Sequence, residues 1–175
     1  MRRLFWLFLP ASALAADLGS KAWILSFLHA GESYRVIDGF FNLSLTFNRG
    51  AIFGSLAWLP DGVRFGLFAL AGLAALIYFG RLFLAPGTRT FDRVALGLIL
   101  GGALGNGLDR LFRGHVVDFL DFYISKLDIA FIHVHDWHYW TFNLADSFIL
   151  VGAVLYGFGL MRGHSVSREP ASTKS

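Results

Sequence analysis

Four long apolar stretches organise this chain, covering residues 4–28, 63–84, 94–112 and 142–161. Each is long enough to cross a bilayer as a helix, which takes about 20 apolar residues. Between the first two the period changes. Phe41, Leu43, Leu45 and Phe47 alternate with Asn42, Ser44, Thr46 and Asn48, and a period of two predicts a half-buried strand. Asn48-Arg49-Gly50 then supplies turn residues. The connection 113–141 is rich in Trp, Tyr, Phe and His, as is usual for a segment resting among lipid headgroups. The expected fold class is an all-α polytopic membrane protein: four transmembrane helices and a small β-sheet on the outer membrane surface. Residues 1–175 read as one membrane domain, with a β-containing outer loop 29–62, an aromatic outer loop 113–141 and a polar tail 162–175.

Composition supports this reading. With 55% hydrophobic and 15% charged residues, the balance excludes an ordinary soluble domain. Charge then supplies orientation. Arg2 and Arg3 precede the first stretch, Arg81, Arg89 and Arg93 surround the short Pro86-Gly87 connection, and Arg162, Arg168 and Lys174 follow the last stretch. The positive-inside rule makes these three segments, including both termini, cytoplasmic. Glu32, Asp38, Asp61, Asp121, Asp128 and Asp136 lie in the two connections left outside, and only Asp92 and Glu169 lie inside. The net charge of +3 therefore follows topology, and a nucleic-acid partner is not expected. The chain has no cysteine, which excludes a disulfide framework, a thiol nucleophile and a lipidation site of its own.

Arg2, Arg3, a short apolar run and Ala13-Leu14-Ala15-Ala16 have the look of a cleavable signal peptide. Apolar character resumes after Lys21, however, and cleavage would leave three spans, so a retained helix is expected. No internal repeat is visible, which argues against a transporter built from inverted halves.

Ionisable residues inside a span cost at least ~2.5 kcal/mol at the bilayer centre and mark functional sites. Asp17 and Lys21 share a helix face at i,i+4. Asn106, Asp109 and Arg110 do so at i, i+3 and i+4, and Asn143, Asp146 and Ser147 repeat that spacing. At about 1.5 Å per residue from the cytoplasmic side, Asp17 and Lys21 lie near 20 and 26 Å and Asp109 near 23 Å. All these clusters are in the outer half of the membrane; an ion pathway would need polar groups through the inner half too. Two carboxylates brought close share a proton and titrate as a pair. One can then activate water while the other protonates a peptide carbonyl, which is aspartic proteolysis without metal or cofactor. Spacing does not choose the pair. On an ideal helix Asp118 would lie half a turn from Asp109, unless Gly114 redirects the chain.

Five blocks in order carry a resemblance: Asp17-Leu18-Gly19-Ser20-Lys21; Asn48-Arg49-Gly50-Ala51-Ile52-Phe53-Gly54; the stretch from Gly101-Gly102 to Asn106-Gly107-Leu108-Asp109-Arg110; Val116-Val117-Asp118-Phe119; and Phe142-Asn143-Leu144-Ala145-Asp146-Ser147. Together they resemble the lipoprotein signal peptidase family, from the first span to the fourth. The resemblance implies an aspartic endopeptidase of the bacterial inner membrane with Asp118 and Asp146 as its catalytic dyad near the outer face. It implies substrate-binding or supporting roles for Asn48, Gly50, Asn106, Asp109, Arg110 and Asn143, and a structural pair in Asp17 and Lys21. The implied partners are the bilayer and a membrane-tethered prolipoprotein, cut on the N-terminal side of its diacylglyceryl-cysteine. Ile52, Gly107 and the long stretch between the two dyad aspartates depart from the family pattern.

The simpler readings are span-end solvation for Asp118 and Asp146, and a local ion pair for Asp109 and Arg110. A transporter or inactive scaffold using the same carboxylates is the alternative function. Gly97, Gly101 and Gly105 at four-residue spacing predict close helix packing. His133, His135, Asp136 and His138 alternate as metal ligands on a strand would, but scattered histidines suit an interfacial loop, and no metal is expected.

Overall fold

The computed structural model describes residues 5–49, 59–129 and 132–166. Gly50, Ile52 and the terminal Arg2, Arg3, Arg168 and Lys174 lie outside them. Four long helices and four strands follow in the order α1 (Phe8–Phe27), β1 (Ser33–Ile37), β2 (Phe41–Asn48), α2 (Asp61–Leu84), α3 (Thr90–Arg113), β3 (Val116–Ile129), β4 (Ile132–His138) and α4 (Leu144–Val166). Among them α2, α3 and α4 are long and apolar enough to cross a membrane. Helix α1 has 20 residues, about 30 Å of helix, but Asp17 and Lys21 lower its apolarity at mid-length. Its buried residues Pro10, Ala13, Asp17, Lys21 and Ile24 recur every three or four positions, so one stripe faces the protein.

Helix α3 sits at the centre, packed on α1, α2 and α4, and its glycines explain how. A β-carbon at Gly97 or Gly101 would meet Leu9, Pro10 or Ala13 of α1, and one at Gly105 would strike the Asp17 carboxylate. On the adjacent face Gly102 lies under the Ala145 carbonyl of α4, while Gly152 of α4 lies against Ala95 and Ile99. Lipid offers no hydrophobic drive for helix pairing, so such close backbone approach has to supply the contact. At the end of the bundle where α2 ends and α3 begins, Arg89 grips the buried Asp92 at 2.8 Å and donates to the Gly159 carbonyl at 2.7 Å. That clamp joins α3 to α4.

The strands form one antiparallel sheet in the order β1-β2-β3-β4. The alternating segment is β2, yet Ser44 and Leu45 are buried in succession. The register against β3 slips between Leu43 and Thr46, and an extra residue in one strand turns two neighbours to the same side. The aromatic connection read as a loop contains the β3–β4 hairpin. Ile24 of α1, Leu45 of β2, and Val117 and Phe119 of β3 form one buried cluster, with Leu144 of α4 against it. This cluster seats the sheet on one end of the bundle, each side chain contributing about 1.5–3 kcal/mol if taken from water.

Candidate active site

Two backbone devices bring the sequence blocks together. Helix α3 stops at Gly114, whose φ of 73° is left-handed and whose amide bonds to the Arg110 carbonyl at 3.1 Å. Glycine adopts that conformation without steric cost and ends helices for this reason. The chain turns there into β3, so Asp118 leaves the helical phase of Asp109. Just before α4, Phe142 is clipped to the same strand. Its carbonyl accepts from the Phe119 and Leu120 amides at 3.0 and 2.8 Å, and its amide donates to the Leu120 carbonyl at 3.1 Å. Asn143 and the first turn of α4 are thereby held beside Asp118.

The side chains then link into one chain. Asn143 Nδ2 donates to Asp118 Oδ1 at 2.7 Å and to Asn106 Oδ1 at 3.1 Å, and Asn106 Nδ2 donates to Asp146 Oδ1 at 2.8 Å. Asp146 Oδ2 accepts from the Asn143 amide at 3.3 Å, and the Asp146 amide donates back to Asn143 Oδ1 at 3.0 Å, as in an N-terminal helix cap. Asn48 at the end of β2 hydrogen-bonds Asp118. Arg110 interacts electrostatically with Asp146, Asp118 and Asp109. Asp118 is almost fully buried, and this burial, reinforced by the charge of Asp146, pushes its carboxyl from 3.8 up to about 7 against the opposing bonds from Asn48 and Asn143.

Beneath this chain lies a sealed ionic cluster. Lys21 Nζ meets Asp17 Oδ2 at 2.8 Å, Asp109 Oδ2 at 2.9 Å and Asn106 Oδ1 at 3.1 Å. Three acceptors satisfy its three protons. The side chains of Lys21, Asp17 and Asp109 are 0% exposed, so an incomplete set would leave an uncompensated buried charge. Asp17 Oδ1 accepts the Ala145 amide at 2.9 Å, one of the otherwise unpaired donors in the first turn of α4. Asp109 Oδ2 accepts the Val117 amide at 3.2 Å, and its other oxygen pairs with Arg113. Each of these carboxylates therefore holds the residue just before one of the pair Asp118 and Asp146, and Lys21 ties the two together.

The family follows from comparison with known proteins. The sequence profile of signal peptidase (SPase) II matches residues 9–162. This chain belongs to the signal peptidase II family. A lipoprotein signal peptidase of Burkholderia vietnamiensis is 41% identical over 157 residues, 90% of this chain and 87% of that one. One from Serratia proteamaculans is 40% identical over 156 residues, 87% of this chain and 86% of that one. A bacterial membrane enzyme solved by the in meso method at 2.3 Å resolution has the same fold, with a TM-score of 0.75 at 28% identity, covering 94% of this chain and 92% of that one. A second, at 1.9 Å, gives 0.72 at 28% identity over 90% and 93%.

Asp17, Lys21, Asn48, Asn106, Asp109, Arg110, Asp118, Asn143 and Asp146 thus meet at the junction of the sheet with α1, α3 and α4, while Gly50 lies outside the described residues. Arg113 carries no signal in the sequence, where it reads as an ordinary basic helix end. The Asp121 carboxylate, buried among Ser44 at 3.0 Å, Asn42 at 3.3 Å and His138 at 2.9 Å, was visible only as an outer-loop charge. Side chains of His133, His135 and Asp136 are outside the described set, and His138 is engaged by Asp121.

Proposed function

We propose that this signal peptidase removes signal peptides from lipoprotein precursors as an aspartic endopeptidase, with Asp118 and Asp146 as its dyad. The relay Asp118–Asn143–Asn106–Asp146 carries this reading, because it holds two carboxylates of unlike surroundings on one short path. Asp118, raised to about 7, keeps its proton near neutrality and serves as general acid. Asp146, faced by the Asn106 and Asn143 donors and by Arg110, serves as general base. Water attacks the scissile carbonyl carbon as Asp146 takes a proton and Asp118 protonates the carbonyl oxygen. The tetrahedral diol then collapses: Asp146 passes its proton to the departing amine, and a diol hydroxyl returns one to Asp118. Both carboxyls end as they began.

Asn48, Gly50, Asn106, Asp109, Arg110 and Asn143 position the dyad or the substrate, and the Asp17–Lys21 pair supports them. The chain forms a single membrane unit in which α1 is the fourth span, shielded by its packing despite Asp17 and Lys21. Both termini are cytoplasmic, and the sheet and dyad lie at the outer face of the bacterial inner membrane. The substrate is a tethered prolipoprotein cut before its diacylglyceryl-cysteine.

Purified wild type, Asp118→Asn and Asp146→Asn are to be compared on a lipidated prolipoprotein by gel shift. Either substitution is expected to lower cleavage by about 10²–10⁴-fold or more with the protein still folded in the membrane. Near-normal turnover in Asp118→Asn together with complete loss in Asp109→Asn would redraw the dyad as Asp109 with Asp146.

A further inference from the structure

Helix α2 packs mainly on α3, and where α2 ends and α3 begins that contact is apolar: Phe83 joins Leu96 and Leu100, with Leu76, Phe79 and Leu82 against them. Towards the dyad α3 turns polar, with Asn106, Asp109 and Arg110, while α2 stays apolar. There Phe68 of α2 meets Arg110 of α3, whose guanidinium carbon lies 5.1 Å from the centre of the Phe68 ring.

An arginine near the end of a membrane helix ordinarily extends its charged head towards water. Two contacts oppose this for Arg110. Its Nη1 donates to the Asn106 carbonyl at 3.3 Å, and its guanidinium lies over Phe68. The hydrogen bond is long, too weak to fix so flexible a side chain alone. A cation over an aromatic face is attracted by the ring's quadrupole, more strongly away from water. Phe68 is half-buried on an apolar stretch of α2, which favours the stronger form of the contact.

Arg110 in turn interacts electrostatically with Asp146 most strongly, then with Asp118 and Asp109. Asn106 joins the two ends of this path, since its carbonyl receives Arg110 Nη1 and its side-chain amide donates to Asp146 at 2.8 Å. Attraction between charges falls with their separation and with the polarity of the medium between them, so a guanidinium that swung out to water would weaken its hold on Asp146. We propose that Phe68 is a positioning residue for cleavage, holding the Arg110 guanidinium beside Asp146. Its action is indirect, through Arg110. Leucine at this position would fill similar space but lacks the negative ring face. The proposal rests on the reading that Asp146 is the general base.

Cleavage of a lipidated prolipoprotein by full-length wild type, Phe68→Leu and Phe68→Tyr tests it. Phe68→Leu is expected to lower kcat about three- to tenfold at unchanged KM, and Phe68→Tyr, which keeps the ring, to restore both. In arginine-labelled protein read by NMR, the guanidinium protons of Arg110, identified by their loss in Arg110→Lys, are expected upfield of those of the other arginines under the shielding of the ring. Phe68→Leu should abolish that displacement and Phe68→Tyr should keep it. Equal losses of kcat in the leucine and tyrosine variants, a rise in KM at unchanged kcat, or an Arg110 signal indifferent to Phe68→Leu overturns the proposal. Because the signal of Arg110 is read without turnover, failure of the dyad reading leaves that result untouched.

Discussion

Helices α2 and α3 are each 24 residues long, yet they live in opposite surroundings. Little of the apolar stretch of α2 is buried, whereas more than half of that of α3 is. Helix α3 is nevertheless the less apolar of the two. It carries the glycine ladder, Asn106, Asp109 and Arg110, while α2 presents Val63, Phe65, Leu67, Leu70, Leu73 and Ile77 outward. In water the apolar face points inward. In a bilayer lipid tails are as apolar as leucine, so apolar residues mark the outside, and small or polar residues mark the interior.

The strongest way to break this contrast is through the polar end of α3. Lys21→Met removes the cation shared by Asp17 and Asp109 and leaves only Arg113, on the far oxygen of Asp109, and losing one member of a buried charge set costs about 3–5 kcal/mol. Thermal unfolding in detergent is expected to shift strongly downward, and cleavage to fall with it, since the Ala145 and Val117 amides lose their fixed acceptors. A variant as stable as wild type would mean that the cluster does not hold the helices.

The next test compares equivalent substitutions on the two helices. Gly102→Ala puts a methyl against the Ala145 carbonyl, while a β-carbon at Gly72 meets nothing within 4 Å. Overpacking of this kind costs about 1–3 kcal/mol, so Gly102→Ala is expected to lower the unfolding midpoint and Gly72→Ala to leave it unchanged or slightly raise it. Equal effects at both sites would erase the distinction.

The smallest effect sharpens the picture at the dry end of the bundle. Burial raises Asp118 to about 7 from 3.8, so the folded protein holds this proton more tightly than the unfolded chain does. The stability it contributes is complete below pH 3.8 and is lost as pH rises through about 7. The midpoint should decline over that window, and Asp118→Asn should remove that part of the decline. Cleavage should fall later, as pH rises past about 7 and the proposed general acid loses its proton in the folded protein. A rate that stays flat well above neutrality would contradict this role.

Much of this arrangement was legible in the sequence because it is local. Residue spacing alone puts Asp17 with Lys21 and Asn106 with Asp109 on single helix faces, and the four-residue glycine repeat marks the face of α3 that α1 covers. The alternation from Phe41 to Asn48 is a strand. What was not legible depends on partners distant in sequence. Nothing in the i,i+4 pairing of Asp17 with Lys21 indicates that Lys21 also reaches Asp109, or that each aspartate also accepts a main-chain amide. Strand β3 escaped notice because Val116, Val117, Asp118 and Phe119 are buried in succession, and a strand buried on both faces shows no alternation. Asp92 looked like a cytoplasmic surface charge, since the Gly159 carbonyl that completes its clamp lies on another helix.

The clip between Phe142 and Leu120 bears on how the chain can change. Twenty-eight positions separate Asp118 from Asp146, but the chain between them is closed by main-chain hydrogen bonds at the root of the hairpin. Lengthening a closed loop adds only about 0.6 kcal/mol per doubling. The β3–β4 arm is therefore open ground for insertion, a place where descendants of this enzyme can lengthen, shorten or redecorate the chain while the two carboxylates keep their mutual positions.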